Sequence, residues 1–154
     1  MKKLFRAKGF TLVEVLLVVV IIAILAAVVI VAINPGRQIS QANNTQRSSD
    51  VQTILNAVHQ YSIDHRGQLP GDIPEGEANA NYVGSGAVDL HEDLVPTYIA
   101  EMPYDPTYED ETLGEARYES ETEYFTGYEI FQEDGRVTVS APGAELEEEI
   151  SVTR

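Results

Sequence analysis

KGFTLVE, Lys8 to Glu14, runs without interruption into VLLVVVIIAILAAVVIVAI, Val15 to Ile33. The second stretch is nineteen apolar residues long. That is close to the ~20 residues a helix needs to cross a bilayer. Twelve of the nineteen are Val or Ile. Such residues weaken a helix in water, but lipid offers the backbone no other partner and so enforces one. Lys2, Lys3, Arg6 and Lys8 precede the run. The positive-inside tendency then places the N-terminus in the cytoplasm and everything after Ile33 outside.

Moving outward, Asn34-Pro35-Gly36 interrupts the pattern, because Pro35 supplies no N–H and Gly36 loosens the backbone. A kink or a locally melted turn is expected there. Beyond it Ile39, Ala42, Val51, Ile54, Leu55, Val58 and Tyr61 recur at helical steps, which predicts a helix with one buried stripe. Arg66-Gly67 with Pro70 soon after closes that helix. Drawn straight from Phe10 to Arg66, it would reach about 85 Å at 1.5 Å per residue. Residues 70–114 read as a long loop with a short helix near Asp89–Val95. Strands are expected at Ala116–Ser120, Tyr124–Gln132, Arg136–Ala141 and Glu149–Thr153, with Asp134-Gly135 as a two-residue hairpin turn. Tyr128 and Ile130 share one face of their strand and Glu129 and Phe131 the other, with Val137 and Val139 aligned to one of them. Which face turns inward stays open at this point. Tyr118, Tyr124 and Tyr128 are expected to pack the sheet onto the helix. The fold class is therefore α+β: one long N-terminal helix and an antiparallel sheet of three or four strands.

The chain has 154 residues, enough for one ordinary domain and an appendage but too few for a large multidomain enzyme. It has no Cys, which excludes disulfides, thiolate metal sites and a Cys nucleophile. Charge is segregated: residues 1–69 carry seven Lys/Arg against three acids, whereas residues 70–154 carry three against twenty-two, a balance of −19. A surface this acidic repels phosphate backbones, so direct nucleic-acid binding is not expected.

Candidates for chemistry are sparse. His59 and His65 lie six apart, which is not the i, i+4 spacing of a helical metal pair, and His91 stands alone. Ser85 in Gly84-Ser85-Gly86 lacks the strand–turn–helix setting of a nucleophile elbow. No phosphate-binding glycine loop occurs, so energy for any assembly comes from other proteins. Two acidic clusters, one holding Asp105, Glu109 and Asp110 and the other Glu145 and Glu147–Glu149, offer oxygen ligands for Ca²⁺. Their spacing matches no calcium loop, and a solvated acidic surface with no cofactor is the expected reading. With no nucleophile, base and orienter in sight, the chain is not expected to be an enzyme.

Two features set the N-terminus apart from an ordinary anchor or signal peptide. The apolar run ends in a poor secretory cleavage site, and Glu14 is the single acid beside it. Lys8-Gly9-Phe10-Thr11-Leu12-Val13-Glu14 followed by this run resembles the processing site and N-terminal helix of bacterial type IV pilins and the related type II secretion pseudopilins. The likeness is close over residues 5–33 and rests on pattern alone over 34–66. It implies a leader, 1–9, removed by prepilin peptidase after Gly9, with methylation of the new N-terminus at Phe10. It further implies a transmembrane and filament-core helix at 10–33, an amphipathic half at 34–66 and an acidic head at 67–154. The implied partners are other pilin subunits, the peptidase, and an assembly platform with its ATPase, and the implied shape is the family's ladle. The implied life runs from a membrane precursor to an extracellular filament.

Cleavage unmasks an ammonium on Phe10, which Glu14 can pair with in its own chain or in a neighbouring one. Only the second pairing sets register, since a wrong stagger leaves a buried charge uncompensated at roughly 3–5 kcal/mol. Two other readings stay beside the pilus subunit: a type II secretion pseudopilin, and a membrane-anchored binding module that does not polymerise. The family often closes a C-terminal loop with two cysteines, and here there are none.

Overall fold

The computed structural model describes residues 9–112 and 114–154, and the chain divides into two compact units between Gln38 and Ile39. Positions 1–8, which hold the expected leader cations, lie outside the described residues.

In the first unit, helix α1 spans Leu12–Ile33, 22 residues, and buries none of them. At 1.5 Å per residue it is about 33 Å long. The hydrocarbon layer of a bilayer is roughly 30 Å. The helix stops at Asn34, whose φ of 47° and ψ of 77° are left-handed. Asn tolerates that region better than most residues because its short polar side chain bonds locally. Here Asn34 Oδ1 accepts from the Arg37 N–H at 3.4 Å, so one residue ends α1 and caps helix α2, Pro35–Asp64. The break expected across Asn34-Pro35-Gly36 therefore falls on Asn34 alone. Pro35 takes the first helical position, where no N–H is missed, and Gly36 is helical.

From Ile39 onward α2 belongs to the second unit. Its inward face is Asn44, Arg47, Val51, Ile54, Leu55, Ala57 and Val58. The apolar stripe thus starts later than the spacing predicts: Ile39 is 62% exposed, Ala42 is exposed and Tyr61 only half-buried. Polar side chains hold the inward positions ahead of Val51. At the far end the Gly67 N–H reaches back to the Ser62 carbonyl at 2.7 Å, with Arg66 left-handed at φ 60°.

The stretch expected to be a long loop has its short helix within the expected Asp89–Val95 and holds strands besides. Strand β1, Asn81–Gly84, precedes a short helix α3, His91–Leu94, and a two-stranded ribbon of β2, Glu109–Asp110, and β3, Gly114–Glu115. Then follow β4, Arg117–Ser120; β5, Glu123–Glu133; β6, Arg136–Ser140; and β7, Ser151–Thr153. The main sheet is antiparallel with five strands, ordered β1-β5-β6-β7 with β4 also on β5. One flank of β5 carries β1, and the other is shared by β4 near Phe125 and β6 from Glu129 onward. Between these pairings Gly127 has φ 74°, and a Cβ there would meet the Tyr108 ring at 3.0 Å. Asp134 and Gly135, at φ 49° and 76°, make the two-residue turn between β5 and β6.

The inward face of the sheet carries Tyr128, Ile130, Val137 and Val139, packed in one core with Val51, Ile54, Leu55 and Val58 of α2 and Leu90 and Leu94 around α3. Glu129 and Phe131 turn outward, half-exposed. Tyr128 ties sheet to helix, its hydroxyl donating to Asp50 at 2.8 Å. Tyr124, also buried, instead receives the Leu90 N–H at 2.9 Å and donates to Asp89 at 2.7 Å. Tyr118 is half-buried against His91.

Candidate functional site

Two constellations stand out. The first is the start of α1. Thr11 is extended, at φ −80° and ψ 153°, and its hydroxyl accepts the Glu14 N–H at 3.2 Å. Thr11 and Glu14 therefore occupy the first and last places of a T-x-x-E capping pattern, a signal present in the sequence that the apolar run eclipses. Capping fixes Glu14 in the first helical turn, where the positive end of the macrodipole favours a carboxylate. The same end disfavours a cation. An ammonium on Phe10 would thus sit poorly without an acid nearby, and Glu14 is the acid of that turn.

Phe10 is 81% exposed, and a Cβ built on Gly9 meets nothing within 4 Å. Among the described residues no contact requires glycine at position 9. Gly9 and Phe10 lie exposed just ahead of α1, and Glu14 lies exposed in its first turn, on a helix with no buried side chain. Exposing so many Leu, Val and Ile side chains to water costs on the order of tens of kcal/mol. Lipid or protein must cover them.

The second constellation lies in the head and escapes sequence reading. Arg47, 1% exposed, forks onto Asp105, with Nε to Oδ2 at 2.7 Å and Nη2 to Oδ1 at 3.0 Å. Asp105 Oδ1 also accepts the N–H groups of Thr107 and Tyr108 at 2.9 Å. Arg47 Nη1 reaches Glu145 at 3.0 Å, and Glu145 further accepts from Ser40 at 2.8 Å and Asn43 at 2.9 Å. Asn44 exchanges bonds with the Glu145 backbone at 2.7 and 2.9 Å. Burial works against the charge on Arg47, but the bonds to Asp105 and Glu145 outweigh it and raise its pKa. Bonds from Asn43, Ser40 and Arg47 hold the Glu145 carboxyl below its ordinary value. Burial pushes Asp50 up, against the Tyr128 bond.

The remaining candidates are dispersed. Asp105 sits in the buried pair, while Glu109 and Asp110 lie on the β2 ribbon, and among the described residues no group of three His, Asp or Glu is placed to hold a metal. His65 stacks on Tyr61 with ring centroids 3.8 Å apart, His59 is exposed on α2, and His91 bonds the Tyr118 hydroxyl at 2.8 Å. The Ser85 hydroxyl is engaged with the Tyr124 backbone at 3.3 Å.

Among the described residues one helix, Leu12–Ile33, is long and apolar enough to cross a membrane; it starts at the capping Thr11 and is followed by an α+β unit. Residues 4–30 match the family described as the prokaryotic N-terminal methylation motif, the signature of type IV pilin and pseudopilin precursors. No curated protein and no solved structure matches the chain.

Proposed function

We propose that the chain is a structural subunit of a type IV pilus. It is made as a membrane precursor, cut after Gly9 by prepilin peptidase, methylated on Phe10 and polymerised through the 10–33 helix by an assembly platform and its ATPase. The observation that carries this reading is the 22-residue α1, wholly exposed, behind a capped Glu14 four residues from Phe10. Membrane insertion and burial among copies both cover that surface with apolar neighbours, so transfer from one to the other has low net cost.

A second feature supports assembly. Between Ile39 and Ile63 no exposed side chain is Asp, Glu, Lys or Arg, in a chain whose net charge is −15. Copies this acidic repel one another, and an uncharged helix face lets them approach at least cost. Glu14 then pairs with the Phe10 ammonium of a neighbour and sets the stagger. This reading calls for no cofactor: Asp105, the buried acid among the calcium candidates, is already committed to Arg47, and we expect one melting temperature in calcium and in chelator.

Mass spectrometry of sheared surface material tests the proposal. The expected product begins at methylated Phe10, is abundant, and disappears in a Gly9→Leu variant. A chain cut at Phe10 but confined to the envelope supports the pseudopilin reading instead, and one retaining Met1 supports an anchored module that does not polymerise. Glu14→Ala subunits that are processed and polymerise at the native rate would remove Glu14 from assembly.

A further inference from the structure

Helix α2 is attached to its head in two different ways. From Val51 to Val58 the attachment is an apolar core. Between Ile39 and Asp50 every side chain that is not exposed is polar: Ser40, Asn43, Asn44, Arg47, Ser48 and Asp50. Arg47 and Asp105 are 1% and 0% exposed, Asn44 is 3% exposed, and half-buried Asp50 receives the Tyr128 hydroxyl. Ser40, Asn43 and Asn44 share a different target. Their bonds to the head end on Glu145 or Glu148, in the segment joining β6 to β7.

The Glu145 side chain is 35% exposed, so water competes for the bonds of its carboxylate. The two residues that follow, Leu146 and Glu147, both have left-handed backbones, at φ 60° and 59°, without being glycine. Such backbones are strained and persist only where surrounding contacts hold them. A strained, half-exposed strap that supplies one carboxylate to three helix side chains has few contacts to lose before it lets go.

We propose that Glu145 is a releasable catch: the strap around it holds α2 from Ile39 to Gln46 on the head, and its opening frees those turns while the buried Arg47–Asp105 pair stays as the fixed pivot. The helix can then change its attachment over about two turns without disturbing the core beyond Val51. Opening also relieves the Leu146–Glu147 backbone, and β7 keeps its own pairing with β6. This inference does not depend on the proposed filament.

Hydrogen exchange with mass spectrometry on the full chain in detergent tests it. In Glu145→Ala, amides 41–46 should exchange about ten-fold faster while those of 51–58 keep their native rates, as local opening requires. Asp105→Ala should instead accelerate both segments together, because it strands a buried cation. A second variant, Ser40→Ala with Asn43→Ala, leaves the Glu145–Arg47 contact in place and should give the local pattern at smaller amplitude. Native rates at 41–46 in both catch variants, or an increase in either that extends equally to 51–58, would overturn the catch.

Discussion

Helix α1 and the inward face of α2 invert the usual relation between polarity and burial. The first is the most apolar stretch of the chain, with Leu, Val and Ile side chains roughly half or more exposed. In the second, the largest fully buried side chain is an arginine. Apolar residues bury when something is there to cover them, and none of the α1 residues is buried. A guanidinium buries when every N–H is met, and Arg47 finds Asp105, Glu145, Asn44 and Thr107. Exposure at α1 therefore speaks of an outside environment, and burial at Arg47 of a closed internal network.

The comparison breaks most sharply at Arg47. Arg47→Ala leaves Asp105 charged and dry and should cost about 3–5 kcal/mol, read as a fall in the melting temperature of the head. Val20→Asp places an acid in the middle of α1, where insertion costs roughly 2.5–3.5 kcal/mol. It should weaken membrane integration, scored by fractionation, yet leave head melting unchanged because no α1 side chain is buried. A shift in head melting with Val20→Asp would mean that the two regions are not energetically separate.

A pH titration sharpens the head side. The folded pKa of Glu145 lies below its unfolded value, so its contribution is complete above the ordinary glutamate pKa and is lost as pH falls through the folded one. Glu145→Gln should remove that segment of the acid-unfolding curve, lowering the melting temperature at neutral pH and converging with the native chain in acid. The smallest effect belongs to Arg66, left-handed at φ 60° where helix ends favour glycine. Arg66→Gly should raise stability by about 0.5 kcal/mol, the relieved strain being partly offset by glycine's greater unfolded freedom.

What the sequence discloses and what it hides follow from distance along the chain. Lys8 to Ile33 is legible because its chemistry is contiguous, as are the Asp134-Gly135 turn and the Tyr128/Ile130 face. Arg47 is not, because charged residues are almost never buried unless paired and its partners are 58 and 98 positions away. Strand β1 hides for a related reason: Asn81–Gly84 is four residues long, sits among turn-formers, and becomes a strand only because β5 supplies its hydrogen bonds. Ile39 and Ala42 follow the apolar spacing but lie exposed, since periodicity marks a stripe without marking where its cover begins.

Asn34 has one more consequence. Helical order spreads cheaply from a turn already formed and expensively from a new nucleus, by a factor near 10³. A left-handed residue between Ile33 and Pro35 stops that spread in both directions. Heating or pulling should accordingly unravel α1 and α2 as two separate transitions, each starting from its own end, where an unbroken rod of the same length would give way as one.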